Sequence, residues 1–331
     1  MAVMLWHSLL NKELAQANEY ELYLRESYIY KSDIELFGKT IVVTGGTDEV
    51  GKECVKNFIK RGARVIVGYR SSKNGIKLKE EIEDDDTNKG TLVLMELELS
   101  SMESVRKFAE KINKSEQRLD VLLNNAGILS SSTAYTKDGY EMITAVNYLS
   151  HFLLTHLLLP LLKKSSPSRI VNVSSFVHNL TTDMMFDDFN IRTGYFIPTS
   201  FYLYGRSKAA MNMFTKECQR RFKDMGITSY SCNPGAVKTN LFNHFSLIKD
   251  FTNYLLFKTF KLINPIQFVG KSANEGAQTP IYCSIEEGIE TYGGSYFTDG
   301  KPFKESKLVN NDEVCEKLWD YTTDLLNLSK L

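Results

Sequence analysis

The sequence predicts a single doubly wound α/β domain on a mostly parallel sheet, and three observations predict it. From Lys39 onward, short apolar runs alternate with stretches whose apolar residues recur at helical spacing. The runs are nearly continuous in apolar residues, as in Asp120–Leu123, which implies burial on both faces. No internal repeat or low-complexity linker divides the chain, so one domain is expected from about residue 38 to about residue 300.

The expected strands are Thr40–Thr44, Arg64–Gly68, Thr91–Glu96, Leu119–Asn124, Arg169–Ser174 and Ile227–Cys232. Between the first two, Val50, Cys54, Val55, Phe58 and Ile59 mark one face of a helix. The Ser/Pro/Lys cluster 163–168 reads as the loop from a long apolar helix to the next strand. Residues 1–37 form a polar and aromatic leader. Residues 301–331 read as a helical tail that includes Leu318, Tyr321 and Leu325.

Composition narrows the function classes. The 331 residues are 43% hydrophobic and 24% charged, which is ordinary for a globular chain. Forty basic residues balance forty acidic ones, so global charge indicates no nucleic-acid partner. Five scattered cysteines without a Cys-x-x-Cys pair argue against a disulfide framework or a zinc site and suggest a reducing compartment. No run reaches the roughly 18 consecutive apolar residues of a membrane span. His151 and His156, on an apolar helical stretch, read as packed or partly exposed rather than as metal ligands.

The first strand runs into Thr44-Gly45-Gly46-Thr47-Asp48-Glu49-Val50-Gly51 and then a helix. In that setting glycines bring the backbone close to a pyrophosphate at a helix N-terminus, as in Rossmann-type dinucleotide sites. Glycines also serve any tight βα connection, so the turn by itself is equivocal. Glu49 stands where a third glycine is usual, and Asp48 adds a second carboxylate. Both acids stabilise a helix start, yet they repel a phosphate unless they point outward. Arg70 ends the second strand where NAD-preferring sites place an acid. An arginine suits a 2′-phosphate, so NADP(H) is expected over NAD(H), which the turn also allows.

Further motifs follow in order: Asn124-Asn125-Ala126-Gly127, Asn172-Val173-Ser174-Ser175, Tyr204-Gly205-Arg206-Ser207-Lys208 and Asn233-Pro234-Gly235, with Thr239 beyond. Any one of them recurs by chance. Together they resemble the short-chain dehydrogenase/reductase family. Val146–Phe152, Glu275–Thr279 and Gly293–Phe297 are similar to its retinol dehydrogenase and WW-domain oxidoreductase branch, although no WW module is present. The likeness covers nearly everything from Lys39 onward and leaves residues 1–37 unexplained.

The resemblance implies a Ser175–Tyr204–Lys208 site with Asn147. Tyr204 would act as acid/base, with its pKa lowered by Lys208 four residues along the helix. Ser175, rather than its neighbour Ser174, would bond the substrate oxygen, and Asn147 would hold a water relaying protons to Lys208. The cofactor would contact Thr44, Gly45, Gly46, Val50, Gly51, Arg70, Glu98, Leu99, Asn124, Ala126, Gly127, Lys208, Pro234, Gly235, Val237 and Thr239. Glu98 replaces an aspartate common there. The implied function is NADP(H)-dependent interconversion of a carbonyl and an alcohol. The alternative is a non-catalytic binding or regulatory protein whose cofactor turn is impaired by Asp48 and Glu49.

Between Thr239 and Gly270 the chain is aromatic and aliphatic, with Phe242, Phe245, Phe251, Tyr254 and Phe257 among interspersed lysines. The segment reads as core-packed helices, as a lid over an apolar substrate pocket, or as a surface lying on a membrane. The lid reading favours a lipophilic carbonyl or alcohol of retinoid, steroid or fatty aldehyde type. The expected location is cytoplasmic, with peripheral contact to an intracellular membrane allowed. The helix ending near Leu162 is similar to the family's subunit-pairing element, which allows a homodimer.

Overall fold

In the computed structural model the described residues are 28–130, 134–190, 199–237 and 270–329. The six expected strands form, as β1 Thr40–Thr44, β2 Arg64–Tyr69, β3 Thr91–Glu96, β4 Val121–Asn124, β5 Ser168–Val173 and β6 Ile227–Asn233. Two more, β7 Tyr296–Thr298 and β8 Lys301–Phe303, were not expected as strands. The sheet order is β3-β2-β1-β4-β5-β6-β7-β8, parallel throughout except for the antiparallel β7–β8 hairpin. β4 begins at Val121 rather than Leu119. The Asp120 carboxylate just before it accepts the Thr40 amide at 2.9 Å and pairs with Lys39 and Arg118.

Strand alternation explains the two cores. Val42, Ile66, Leu122 and Ile170 face one side, while Ile41, Val43, Val65, Val67, Leu123 and Val171 face the other, and all are buried. The helices are α1 Glu49–Lys60, α2 Ser72–Glu83, α3 Met102–Ser115, α4 Ser150–Lys164, α5 Thr199–Phe222, α6 Ala273–Ile285 and α7 Asp312–Leu325. α1, α2 and α6 pack on the second face; α3, α4, α5 and α7 pack on the first. Cys54, Val55, Phe58 and Ile59 of α1 point inward, as their spacing predicts.

Residues 28–37 and 301–329 join the domain more closely than the sequence suggests. The boundary drawn at residue 300 runs through the β7–β8 turn, so the tail supplies an edge strand. In α7, Trp319 lies 4.8 Å from Phe152, 5.9 Å from Phe214 and 5.7 Å from Phe222, ring centroid to centroid. The Tyr148 and Thr322 hydroxyls bond at 2.9 Å across the same contact. α7 therefore covers α4 and α5. At the other end, residues 28–37 run over α6 and α1. Tyr30 hydrogen-bonds Gln278 and Glu286, and the Arg61 guanidinium donates to the Ile34 carbonyl at 2.7 Å.

Among the described residues one helical run, Met142–Lys164, is long and apolar enough by composition to cross a membrane, although it holds no uninterrupted apolar stretch of that length. Of its most apolar 18-residue stretch, 83% is buried inside the molecule. It is a core helix. Its first part holds a π-helical stretch, Ala145–Leu149, where one extra residue enters the turn and re-aims the side chains.

Candidate active site

The site is built where the strand order reverses, between β1 and β4, because the loops leaving those two strands diverge and open a crevice at their carboxyl ends. In the turn after β1, Gly45 has φ +63°, and a Cβ on Gly51 would lie 2.2 Å from the Gly45 carbonyl oxygen. Those two positions tolerate only glycine. Glu49 is the first residue of α1 and does not have a left-handed backbone, so a side chain fits there without strain.

Asp48, the N-cap of α1, makes no side-chain cap bond. The N-caps of α2, α3, α6 and α7 all accept one, through Ser71, Ser101, Ser272 and Asn311. The first turn of α1 is thus left for an acceptor from outside the cap, which fits a phosphate group. Asp48 is exposed yet crowded by protein. That crowding, with the Glu49 carboxylate beside it, raises its carboxyl above the ordinary value, while the Arg70 guanidinium opposes the rise. Arg70 itself is exposed at the end of β2.

Thr44 ties this turn to its neighbours. Its hydroxyl accepts the amides of Asn125 and Ala126, both at 3.0 Å. The Asn125 side chain donates to the carbonyls of Thr44 and Gly45 at 3.0 and 3.1 Å. Asn125, absent from the sequence-predicted set, is therefore the asparagine that serves the turn. Asn124 points the other way. Buried completely, it donates to Asn172 at 2.8 Å and to Thr155 at 3.3 Å, so its side chain is not brought to the crevice. Strand parity carried that signal, because Asn124 shares a face with buried Leu122. Glu98 uses its carboxylate to hold the Ser100 amide and hydroxyl at 3.1 and 2.9 Å, and Leu99 beside it is buried.

The other predicted residues converge around Gly127. Ser175 lies two residues beyond β5, capping the short 3-10 turn Phe176–Leu180, and Tyr204 and Lys208 lie one turn apart on α5. The Ser175 hydroxyl lies close enough to the Tyr204 phenol to oppose the rise of its pKa. Lys208 Nζ donates to the Val173 carbonyl at 2.8 Å and sits 5.5 Å from the centre of the Tyr204 ring. A Cβ on Gly127 would stand 3.3 Å from Lys208 Nζ and 3.6 Å from Asn147 Oδ1, so the missing side chain leaves room where those groups meet. Asn147 accepts the Ile128 amide at 2.8 Å and donates to the Ile128 carbonyl and to Ser207 Oγ at 3.1 and 3.0 Å. Its side chain is spent on clamping the Gly127–Ile128 loop. Ser174 faces away from Tyr204 and donates to the Lys208 carbonyl at 2.9 Å, joining β5 to α5.

Burial dominates the electrostatics. It pushes Tyr204 up to about 12, opposed by the Ser175 hydroxyl, and pulls Lys208 down to about 8. The lowering of Tyr204 by Lys208 expected from their spacing is not seen in this arrangement, in which the ammonium donates to the Val173 carbonyl and burial sets the direction of the phenol. On the far wall, Gly235 has φ +82°, and its amide bonds Asn233 Oδ1 at 3.0 Å. A Cβ there would meet the Lys271 side chain at 2.9 Å. Lys271 bridges to Val237 and forms a buried ion pair with Asp299. Thr239 and the whole aromatic segment after it, up to residue 269, lie outside the described residues.

Two buried histidines flank the site. His151 bonds Thr44 and Asn147; His178 bonds the Ser175 carbonyl at 2.7 Å. Burial pushes both down to about 4. A histidine unfolded titrates near 6.5. Between about 6.5 and 4 the unfolded chain therefore binds protons that the folded chain refuses. Their contribution is complete above about pH 6.5 and is lost as the pH falls toward 4. Denaturant midpoints are expected to fall by the equivalent of a few kcal/mol between pH 7 and pH 5. Midpoints that do not move would mean that neither ring is held neutral.

Comparison with known proteins agrees with this geometry. The model of the short chain dehydrogenase family matches residues 39–185 and 193–247. Retinol dehydrogenase 11 of Homo sapiens is 39% identical over 302 residues, covering 91% of this chain and 90% of that protein. Retinol dehydrogenase 12 of Bos taurus is 38% identical over 300 residues, with the same two coverages. Among solved structures, an uncharacterised protein from Mycobacterium paratuberculosis superposes with a TM-score of 0.68 at 27% identity, covering 89% of this chain and 96% of that one. The NADPH-bound carbonyl reductase from chicken fatty liver shares the fold, with a TM-score of 0.57 at 20% identity over 82% of this chain and all of that one. The chain therefore belongs to the short-chain dehydrogenase/reductase family, in its retinol dehydrogenase-like branch, and is an NAD(P)-dependent oxidoreductase acting on CH–OH groups.

Proposed function

We propose that the chain interconverts a lipophilic carbonyl and its alcohol with NADP(H), using Tyr204 as the acid/base. The observation that carries this reading is the convergence of Tyr204, Ser175, Lys208 and Asn147 around Gly127 at the mouth of the β1–β4 crevice. The nicotinamide, when bound, supplies or takes up the hydride. In reduction, the Tyr204 hydroxyl gives its proton to the carbonyl oxygen as the carbon gains hydride, and Ser175 donates a hydrogen bond to that oxygen. Lys208 then stabilises the phenolate until a proton is returned from solvent. Its depressed pKa lets it lose and regain a proton near neutrality. Asn147 holds the Gly127–Ile128 loop, and in this reading it also holds a water that relays protons to Lys208.

Arg70, with no acid at the end of β2, supports NADP(H) over NAD(H). The aromatic composition of residues 239–270 supports an apolar substrate, and relatives bearing the name retinol dehydrogenase support a retinoid or similar lipid. The lysines interspersed in that segment support peripheral contact with an intracellular membrane from its cytoplasmic side.

Titrating the purified chain with NADPH and NADH by protein fluorescence is expected to give micromolar binding with NADPH preferred. Equal affinities would remove Arg70 from its role, and no binding at millimolar concentration would remove the proposed function. Glu49→Gly is expected to tighten NADPH several-fold by removing a carboxylate from the phosphate turn. An unchanged affinity would mean that this carboxylate already points away. Tyr204→Phe should lower turnover of a long-chain or retinoid aldehyde by at least about a hundredfold and leave NADPH affinity intact. Undiminished turnover would place the proton donor elsewhere.

A further inference from the structure

We propose that His151 is a positioning residue that couples the cofactor turn to Asn147, through one neutral tautomer that the surrounding bonds dictate. The inference rests on reading Thr44–Gly51 as the cofactor turn. A hydroxyl has two acceptor positions and one proton to donate. The amides of Asn125 and Ala126 occupy both acceptor positions of Thr44 Oγ1. The Thr44 proton must therefore go to His151 Nε2, which lies 2.9 Å away. Nε2 is then an acceptor, and the ring proton resides on Nδ1. That nitrogen lies 3.0 Å from the Asn147 carbonyl oxygen, which can only accept. A single arrangement satisfies all four bonds, and an imidazolium satisfies none better, because Thr44 has no lone pair left for a second donor. His151 is fully buried.

The ring is a spacer of set length between two parts of the site. At one end are β1, the phosphate turn and the Asn125–Ala126 loop; at the other is the π-helical stretch that carries Asn147. The Asn147 side chain clamps Ile128 and Ser207, one residue from Gly127 and from Lys208 respectively. A shift of the turn when a phosphate binds is thus carried through rigid, buried hydrogen bonds to the groups around Lys208. The sequence alone places His151 among packed side chains; the bonds to both ends give it a second role.

The first test uses the intact wild-type chain. Ring ¹⁵N chemical shifts of His151 are expected to report a neutral Nδ1–H tautomer from pH 6 to pH 8. An Nε2–H tautomer, or an imidazolium at pH 6, overturns the inference. The second test compares His151→Phe, which keeps the ring volume without the bonds, with His151→Gln, whose amide can donate to Asn147 and accept from Thr44. The phenylalanine variant should lose about tenfold or more in kcat, with KM for the aldehyde within about twofold and NADPH affinity weakened. The glutamine variant should recover part of the loss. A phenylalanine variant that is less stable but keeps wild-type kcat and NADPH affinity would reduce His151 to packing and overturn the inference. Absence of nicotinamide binding by the wild-type chain would instead defeat the proposed function, while the ring shifts still decide the tautomer.

Discussion

The hydroxyl of Thr44 is the joint on which the site depends. Two amides from the loop after β4 donate to it, and its own proton goes to a histidine on the core helix. Three segments far apart in sequence, at residues 44, 125–126 and 151, are thereby tied within one hydrogen-bond shell. The joint is buried, where an unmade bond is costly and a made one is directional. The crevice between β1 and β4 consequently has walls of defined spacing. The glycines around it belong to the same constraint, since a side chain at Gly51 would push into the Gly45 carbonyl and move Thr44 with it.

Desolvation sets the chemistry of the second half of the site. Tyr204 and Lys208 are both buried, and no carboxylate reaches either of them among the described residues. Burial disfavours the charged form of each, raising the phenol and lowering the ammonium. Their proton affinities, nearly equal in water, are thus driven apart, with the phenol left above the ammonium. The Ser175 hydroxyl already opposes the rise at Tyr204. On the cofactor side, Asp48 and Glu49 are acids at the positive end of a helix, and Arg70 offsets Asp48. The turn can host acids because residue 49 needs no left-handed backbone, whereas residue 45 does.

The fold was legible because its signals are local. Six apolar runs of strand length became six strands, with shifts of one or two residues at their ends, and the α1 face followed its spacing. The Tyr204–Lys208 pair was legible because four residues on a helix make one turn. The β7–β8 hairpin was not, because three-residue strands are too short to carry a periodicity. The packing of α7 was also hidden. Trp319 reads as a lone aromatic until Phe152, Phe214 and Phe222 are brought around it from two other helices.

The sequence by itself determined the order of elements, the glycines of the phosphate turn and the residue types that a hydride-transfer site requires, since these follow from backbone geometry and side-chain chemistry. Only the tertiary structure decided which of two adjacent asparagines serves the turn and what His151 does. Neighbours in sequence point in different directions, and which of them finds a partner depends on strands and helices that arrive from elsewhere in the chain.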